Sequence, residues 1–176
     1  MTHNAYPHLF GQTTLGSVPM RNRTCVAPMT RISATDDGVP TDIMVDHYQT
    51  YAKGGWGLVF TEGTYVDEAH AQGYVNQPGM ANKDHAAGWR RVVDAVHAEN
   101  TPIFQQFIHA GGLIQHNRYE QTGIAPSRVD QLGQMMPHYF GEGPFPEPRE
   151  ITKDEMKEVA SSFAAAARRA VDAGFD

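Results

Sequence analysis

The chain has 176 residues, 40% of them hydrophobic and 19% charged, a balance that suits one globular domain with its own core and excludes a disordered chain. A formal charge of -6 with no Lys/Arg run argues against nucleic acid or an anionic membrane as partner, and a lone cysteine excludes an intrachain disulfide and points to a reducing, cytoplasmic setting. The opening Met1-Thr2-His3-Asn4-Ala5-Tyr6-Pro7 lacks the basic and apolar regions of a signal peptide, and no apolar stretch approaches the ~20 residues of a membrane helix.

Residues 9–20 alternate short apolar pieces with the turn signals Gly11-Gln12 and Gly16-Ser17, which predicts a small hairpin. Residues 24–27 form the first core strand, ended by Pro28, which has no N–H for a ladder. Thr41 is placed as an N-cap, Met44, Tyr48, Tyr51 and Ala52 follow on one helical face, and Gly54-Gly55 stops that helix. Residues 57–61 are short and apolar enough for a strand buried on both sides. Asp84 then caps a helix whose inner face is Trp89, Val92, Val93 and Val96.

Pro102 precedes a third strand, 103–108, and a long loop rich in Gly, Pro and Gln fills residues 111–150. Thr152-Lys153-Asp154-Glu155 is a capping-box pattern, with Ile151 and Met156 spaced as a hydrophobic staple. The last helix carries Met156, Val159, Phe163, Ala166, Ala167 and Ala170 on one face and ends at Gly174, just before a fourth strand should begin. A hairpin followed by three βα units predicts an α/β chain of parallel strands. Pro28-Met29-Thr30-Arg31 is not the Gly-x-Gly-x-x-Gly turn of a dinucleotide fold. The better fit is the N-terminal portion of a (β/α)8 TIM barrel, its hairpin at the floor, because a whole barrel takes ~250 residues. Residues 1–22 are then the hairpin region, and residues 23–176 are units one to three with the start of strand four.

Three runs stand at predicted strand ends, on the face where such folds do chemistry: Ala27-Pro28-Met29-Thr30, Thr61-Glu62-Gly63-Thr64 and Gln105-Gln106-Phe107-Ile108-His109-Ala110-Gly111. Together with Leu9-Phe10, Leu15-Gly16, Arg21-Asn22-Arg23, Ala125-Pro126-Ser127, Ala167-Arg168-Arg169-Ala170 and Ala173-Gly174-Phe175-Asp176, their order and spacing resemble the N-terminal part of the Old Yellow Enzyme family of FMN-dependent ene-reductases. The resemblance spans nearly the whole chain. It implies FMN across the mouth of a barrel, reduction by NADH or NADPH, and delivery of hydride to an activated alkene. It places the backbone of Pro28 and Met29 along the flavin ring and the Thr30 hydroxyl near C4=O. Gly63 brings an N–H close to the same edge, and the Gln106 carboxamide reads the pyrimidine edge.

The same resemblance puts the catalytic residues, a substrate-anchoring His/Asn or His/His pair and a proton-donating Tyr, beyond Asp176. It therefore implies a partner: a complementary chain or segment with strands four to eight, or self-association. The alternative reading is a non-catalytic half-barrel association module, or a fragment without flavin. The family commonly has arginine where Gly112 stands, and one branch of it has cysteine where Thr30 stands.

Blander readings apply to the rest. His109 is expected as a hydrogen-bonded structural residue at a strand end. The nine histidines show no metal-ligand spacing, with His85 and His97, or His109 and His116, too far apart in sequence. Cys25, with no basic neighbour beyond Arg23, reads as a small buried apolar side chain, and Arg168-Arg169 as a solvated helix face.

Overall fold

The turn at Gly16, whose φ of +59° favours glycine, closes β1 (Thr13–Leu15) onto β2 (Val18–Met20) in the computed structural model, which describes residues 5–176. The first four residues of the opening segment lie outside the described residues. A short helix not anticipated from the sequence, α1 (Pro7–Phe10), precedes this hairpin. The hairpin is tied to the N-terminal ends of the main strands: Arg21 donates to Thr101 Oγ1 (2.8 Å) and to the Glu99 carbonyl, and Asn22 Nδ2 donates to the Gly55 carbonyl (2.8 Å).

Three parallel strands follow, β3 (Cys25–Val26), β4 (Leu58–Tyr65) and β5 (Ile103–Ile108), paired in sequence order. They alternate with α2 (Asp42–Lys53), α3 (Lys83–His97) and α4 (Lys153–Ala173). Val26, Val59 and Ile103 stand in one row across the sheet. They share a buried cluster with Met44 and Tyr48 of α2, Trp89, Val92 and Val96 of α3, and Ala166 and Ala170 of α4. All three helices thus cover one sheet face. A doubly wound sheet would reverse strand order and place helices on both faces; sequential order with one-sided helices is a segment of a barrel wall.

The pleat sends Phe60 and Phe104 to the other face, where their rings meet edge to face at 5.7 Å and stay only half-buried. Cys25 lies on that face too and is exposed, which corrects its expected burial: Val26, one residue on, takes the place under the helices. Among the described residues, no helix is long and apolar enough to cross a membrane.

Several boundaries differ from the sequence expectation for identifiable reasons. β4 runs to Tyr65 and not to residue 61, because a bulge between Phe60 and Gly63 keeps it paired with β5, and Thr61 Oγ1 accepts the Gln106 N–H (3.1 Å) in the gap. Asn82, not Asp84, caps α3, its side chain accepting from His85 N (2.9 Å), while Asp84 sits in the first turn. Thr41 occupies the N-cap of α2, but its hydroxyl donates to the Ser33 carbonyl (2.6 Å).

The capping box of α4 forms as expected, and Gly174 ends the helix at φ +98°. Met156 is 47% exposed and Ala167 is exposed, so the buried stripe of α4 is Ala166, Ala170 and Ala173. Arg169 is not merely solvated: its Nη1 donates to the Met80 carbonyl (2.8 Å). Beyond α4, the Asp176 N–H donates to the Ile103 carbonyl (3.2 Å) and its carboxylate accepts the Ile103 N–H (2.9 Å), laying residue 176 alongside the start of β5.

Candidate functional site

The C-terminal ends of β3, β4 and β5 are neighbours, so the residues that follow or end them gather on one rim. Gly63 and Gln106 are direct register partners on adjacent strands. Residues 27–32 leave β3 on the other side of β4, which brings Pro28, Met29 and Thr30 to the same rim. Pro28 and Met29 are exposed, Thr30 is half-buried, and Gln106 is exposed on the uncovered face of the sheet. Neither the Thr30 hydroxyl nor the Gln106 carboxamide has a hydrogen-bond partner among the described residues.

The rim therefore offers a free hydroxyl and a free donor–acceptor amide beside a glycine and an exposed stretch of backbone. That donor set fits the planar, polar-edged ring of a flavin. A Cβ added at Gly63 would meet the Ile108 side chain at 3.0 Å, so a larger residue here would press on β5 as well as on any ring.

Two residues absent from the expected site set hold it in shape. Glu62 is 1% exposed, and its Oε2 accepts the backbone N–H groups of Arg31 (2.8 Å) and Ile32 (3.2 Å), just past Thr30. Its Oε1 accepts the Tyr48 hydroxyl (3.2 Å), and that same hydroxyl accepts the Glu62 N–H (2.8 Å). Burial pushes the Glu62 carboxyl above the ordinary carboxylate range, and the Arg31 and Ile32 amides pull against that shift. Burial, then the facing Glu62, pushes the Tyr48 phenol well above its ordinary value, so it stays a donor. A glutamate in an apolar strand already asks for partners, and that signal could have found it. Tyr48 gave no such signal, because it also fits the apolar face of α2.

A second anchor sits behind the rim. The Tyr65 hydroxyl donates to the Asp37 carbonyl (3.0 Å) and lies 3.3 Å from His85 Nε2, which itself meets the Asp37 carbonyl at 2.7 Å. Gly38 (φ +86°) packs so closely that a Cβ there would stand 2.1 Å from the Tyr65 hydroxyl oxygen. Burial lowers the His85 pKa and keeps the ring neutral, with Nδ1 accepting the Ala81 N–H (3.1 Å). Gln77, fully buried, donates to the Gly63 carbonyl (2.8 Å) and accepts from Gly73 N (2.8 Å).

His109 is half-buried. Its Nδ1 accepts the Gly111 N–H (3.0 Å), which leaves the proton on Nε2, facing Asp67 Oδ2 at 3.9 Å. At Gly112, a Cβ would meet Gln131 Nε2 at 3.2 Å and Pro148 Cγ at 3.3 Å. The long loop folds back on this point through the paired β6 (Ile124–Ala125) and β7 (Arg149–Glu150), so a side chain at residue 112 would have to shift Gln131 and Pro148. Among the described residues, no group of three or more His, Cys, Asp or Glu side chains is arranged to hold a metal ion.

Known proteins share sequence and fold with the chain. The sequence model of the NADH:flavin oxidoreductase / NADH oxidase family matches residues 8–176. A probable flavin mononucleotide-dependent alkene reductase of Leishmania infantum is 38% identical over 169 residues, covering 92% of this chain and 45% of the relative. An NADH oxidase of Thermoanaerobacter brockii is 32% identical over 177 residues, covering 100% of this chain and 25% of the relative.

Among solved structures, an Old Yellow Enzyme homologue from Zymomonas mobilis superposes with a TM-score of 0.87 at 32% identity, and morphinone reductase in complex with tetrahydroNAD with 0.83 at 33%. In both cases 97% of this chain is covered, but only 47% and 48% of those chains. The chain spans about half the length, or less, of the relatives it matches, and its three βα units are the N-terminal portion of their TIM barrel. With its sheet order, the structural likeness and the family match in agreement, this chain belongs to the NADH:flavin oxidoreductase / NADH oxidase family, the Old Yellow Enzymes.

Proposed function

We propose that this chain supplies the flavin-holding N-terminal part of an FMN-dependent ene-reductase. The observation that carries the reading is the pairing of Gly63 with Gln106 on adjacent strands, with the residue 27–32 loop on the same rim and the polar groups of Thr30 and Gln106 free. FMN, when bound, supplies the hydride relay between NADH or NADPH and an activated C=C bond.

The chain's own residues do the holding. The Gln106 carboxamide donates and accepts at the pyrimidine edge, which fixes the ring in its plane. The Thr30 hydroxyl donates at the C4=O side, where a preorganised donor stabilises developing negative charge. The exposed backbone of Pro28 and Met29 lies along the ring, and Gly63 lets the strand approach it.

The hairpin region up to residue 22 closes the floor, and residues 23–176 form part of the wall of an FMN domain. No described residue is assigned to the substrate itself. Substrate anchoring, protonation and the phosphate contacts belong to strands four to eight and the loops after them, on a complementary segment that covers the sheet face bearing Phe60, Phe104 and Gln106. A cytoplasmic setting fits a chain whose only cysteine is Cys25. The test is an ene-reductase assay with NADH and NADPH on residues 1–176 alone and together with a segment carrying strands four to eight. Turnover of an activated alkene only in the combination supports the reading; a colourless, inactive combination contradicts it.

A further inference from the structure

Ile32 has a φ of +50° although it is β-branched, a left-handed conformation such residues rarely adopt. A strained backbone of this kind persists only where its surroundings over-determine it, and it concentrates at functional sites. Here the over-determination is visible: the Ile32 N–H and the Arg31 N–H both end on Glu62 Oε2, at 3.2 and 2.8 Å. The carboxylate that receives them is buried in β4 and held on its other oxygen by Tyr48 of α2 (3.2 Å). Three elements, the loop after β3, β4 and α2, therefore meet at one side chain. Both of its oxygens are used as acceptors, as an ionised carboxylate requires.

The clamped amides lie one and two residues beyond Thr30. The Thr30 hydroxyl can meet a ring edge only if the chain turns at residues 31–32 as it does. The loop has no regular secondary structure between β3 and α2 to set that turn by itself. Other bonds on the loop, the Ser33 hydroxyl to the Arg31 carbonyl (3.1 Å), the Ala34 N–H to the Asn76 carbonyl (3.1 Å), the Thr41 hydroxyl to the Ser33 carbonyl (2.6 Å) and the Tyr65 hydroxyl to the Asp37 carbonyl (3.0 Å), hold neither the Arg31 nor the Ile32 amide.

We infer that Glu62 is a positioning residue for the flavin site: by clamping the Arg31 and Ile32 amides it holds Thr30 where it acts on the ring. This rests on the flavin reading above. Glu62 itself does not touch the cofactor. It acts through the loop, so its effect is felt at Thr30 and not at Gln106.

The experiment uses the FMN-loaded, completed barrel with Glu62→Gln, Thr30→Ala and the double variant, reading amide exchange at Arg31 and Ile32 and the rate of flavin reduction by NADPH. Losing charge-assisted bonds at a buried acceptor is expected to speed exchange at both amides about tenfold or more. Thr30→Ala is expected to slow reduction in the otherwise unaltered protein and to have less than half that effect in the Glu62→Gln background, the mark of coupled residues. Should Glu62→Gln fail to fold, Tyr48→Phe removes the hydroxyl's bonds to Oε1 and from the Glu62 N–H, leaves Oε2 on the two loop amides, and carries the same test, with about a threefold change in exchange.

Unchanged exchange overturns the clamp. Faster exchange with the Thr30→Ala effect undiminished makes Glu62 a brace without a part in the flavin site, and also overturns the inference. A protein that takes up no FMN overturns the flavin reading and the role together, and the exchange data then still show whether the loop is clamped.

Discussion

Thr30, Gly38 and Glu62 show how unequally single residues announce themselves. Thr30 is an unremarkable loop threonine in composition terms, and only the surrounding Ala27-Pro28-Met29-Thr30 run marks it. With its hydroxyl free on the rim, Thr30→Ala is expected to make bound flavin harder to reduce and to slow the reductive half-reaction with NADPH, because a donor facing developing negative charge is lost. Stopped-flow absorbance checks this, and equal or faster reduction removes Thr30 from the role.

Gly38 gave no signal beyond being a glycine before Val39-Pro40. The structure shows why it must be one: φ is +86° and the Tyr65 hydroxyl occupies the space of a Cβ. Gly38→Ala is therefore expected to lower stability by about 2–4 kcal/mol, adding ~1–2 for the left-handed backbone to ~1–3 for overpacking, less whatever relaxation recovers. Urea denaturation measures it, and a change under about 0.5 kcal/mol would show that Tyr65 moves aside freely.

At the scale of elements, periodicity made most of the fold legible. β5 falls at residues 103–108 as expected, and the capping box marks the start of α4, because each rests on a strong local pattern. What stayed hidden was set by neighbours. Glu62 and Gly63 look like a strand's end, yet β4 continues past them: the Thr61 hydroxyl fills the ladder gap and Tyr48 takes the glutamate. The expected inner residues Met156 and Ala167 point out because packing against α3 selects Ala166, Ala170 and Ala173.

α4 also carries a pH-dependent device at its start. Glu155 accepts from Arg149 Nη1 (2.9 Å), the Thr152 N–H (2.8 Å) and the Thr152 hydroxyl (2.9 Å), and these donors, Arg149 first, bring its pKa down to about 2. A carboxylate with a depressed folded pKa adds stability that is fully present above its unfolded value of about 4.3 and is lost as pH falls toward about 2. Glu155→Gln is therefore expected to flatten the fall in Tm between about pH 5 and pH 2. A melting series across that range decides it, and identical slopes for the two proteins contradict the assignment.

At the scale of the molecule, the sheet has one face sealed under α2, α3 and α4 and the other only partly covered among the described residues, with Leu58 buried, Phe60 and Phe104 half-buried and Gln106 exposed. A partly covered parallel sheet with unpaired edges is a poor resting state, since parallel sheets are stable when both faces are covered. Residues 1–176 alone are expected to associate or aggregate and to reduce no alkene; light scattering with the same assay tests this, and a stable monomer that turns over contradicts it. The direction of that need was legible in the sequence, through the three βα units and the family motifs. The clamp at Glu62 and the close packing at Gly38 were not, because both depend on which loop lies over which strand.

FMN titration of the completed protein beside its Gln106→Leu variant shows whether the β3–β5 rim holds FMN through Gln106 and its neighbours. Losing the carboxamide's bonds is worth about 1–3 kcal/mol, so flavin absorbance is expected to be retained through desalting in the unaltered protein and the FMN Kd to rise about one to two decades in the variant. An unaltered protein that binds no FMN, or a variant with the same affinity, would contradict it.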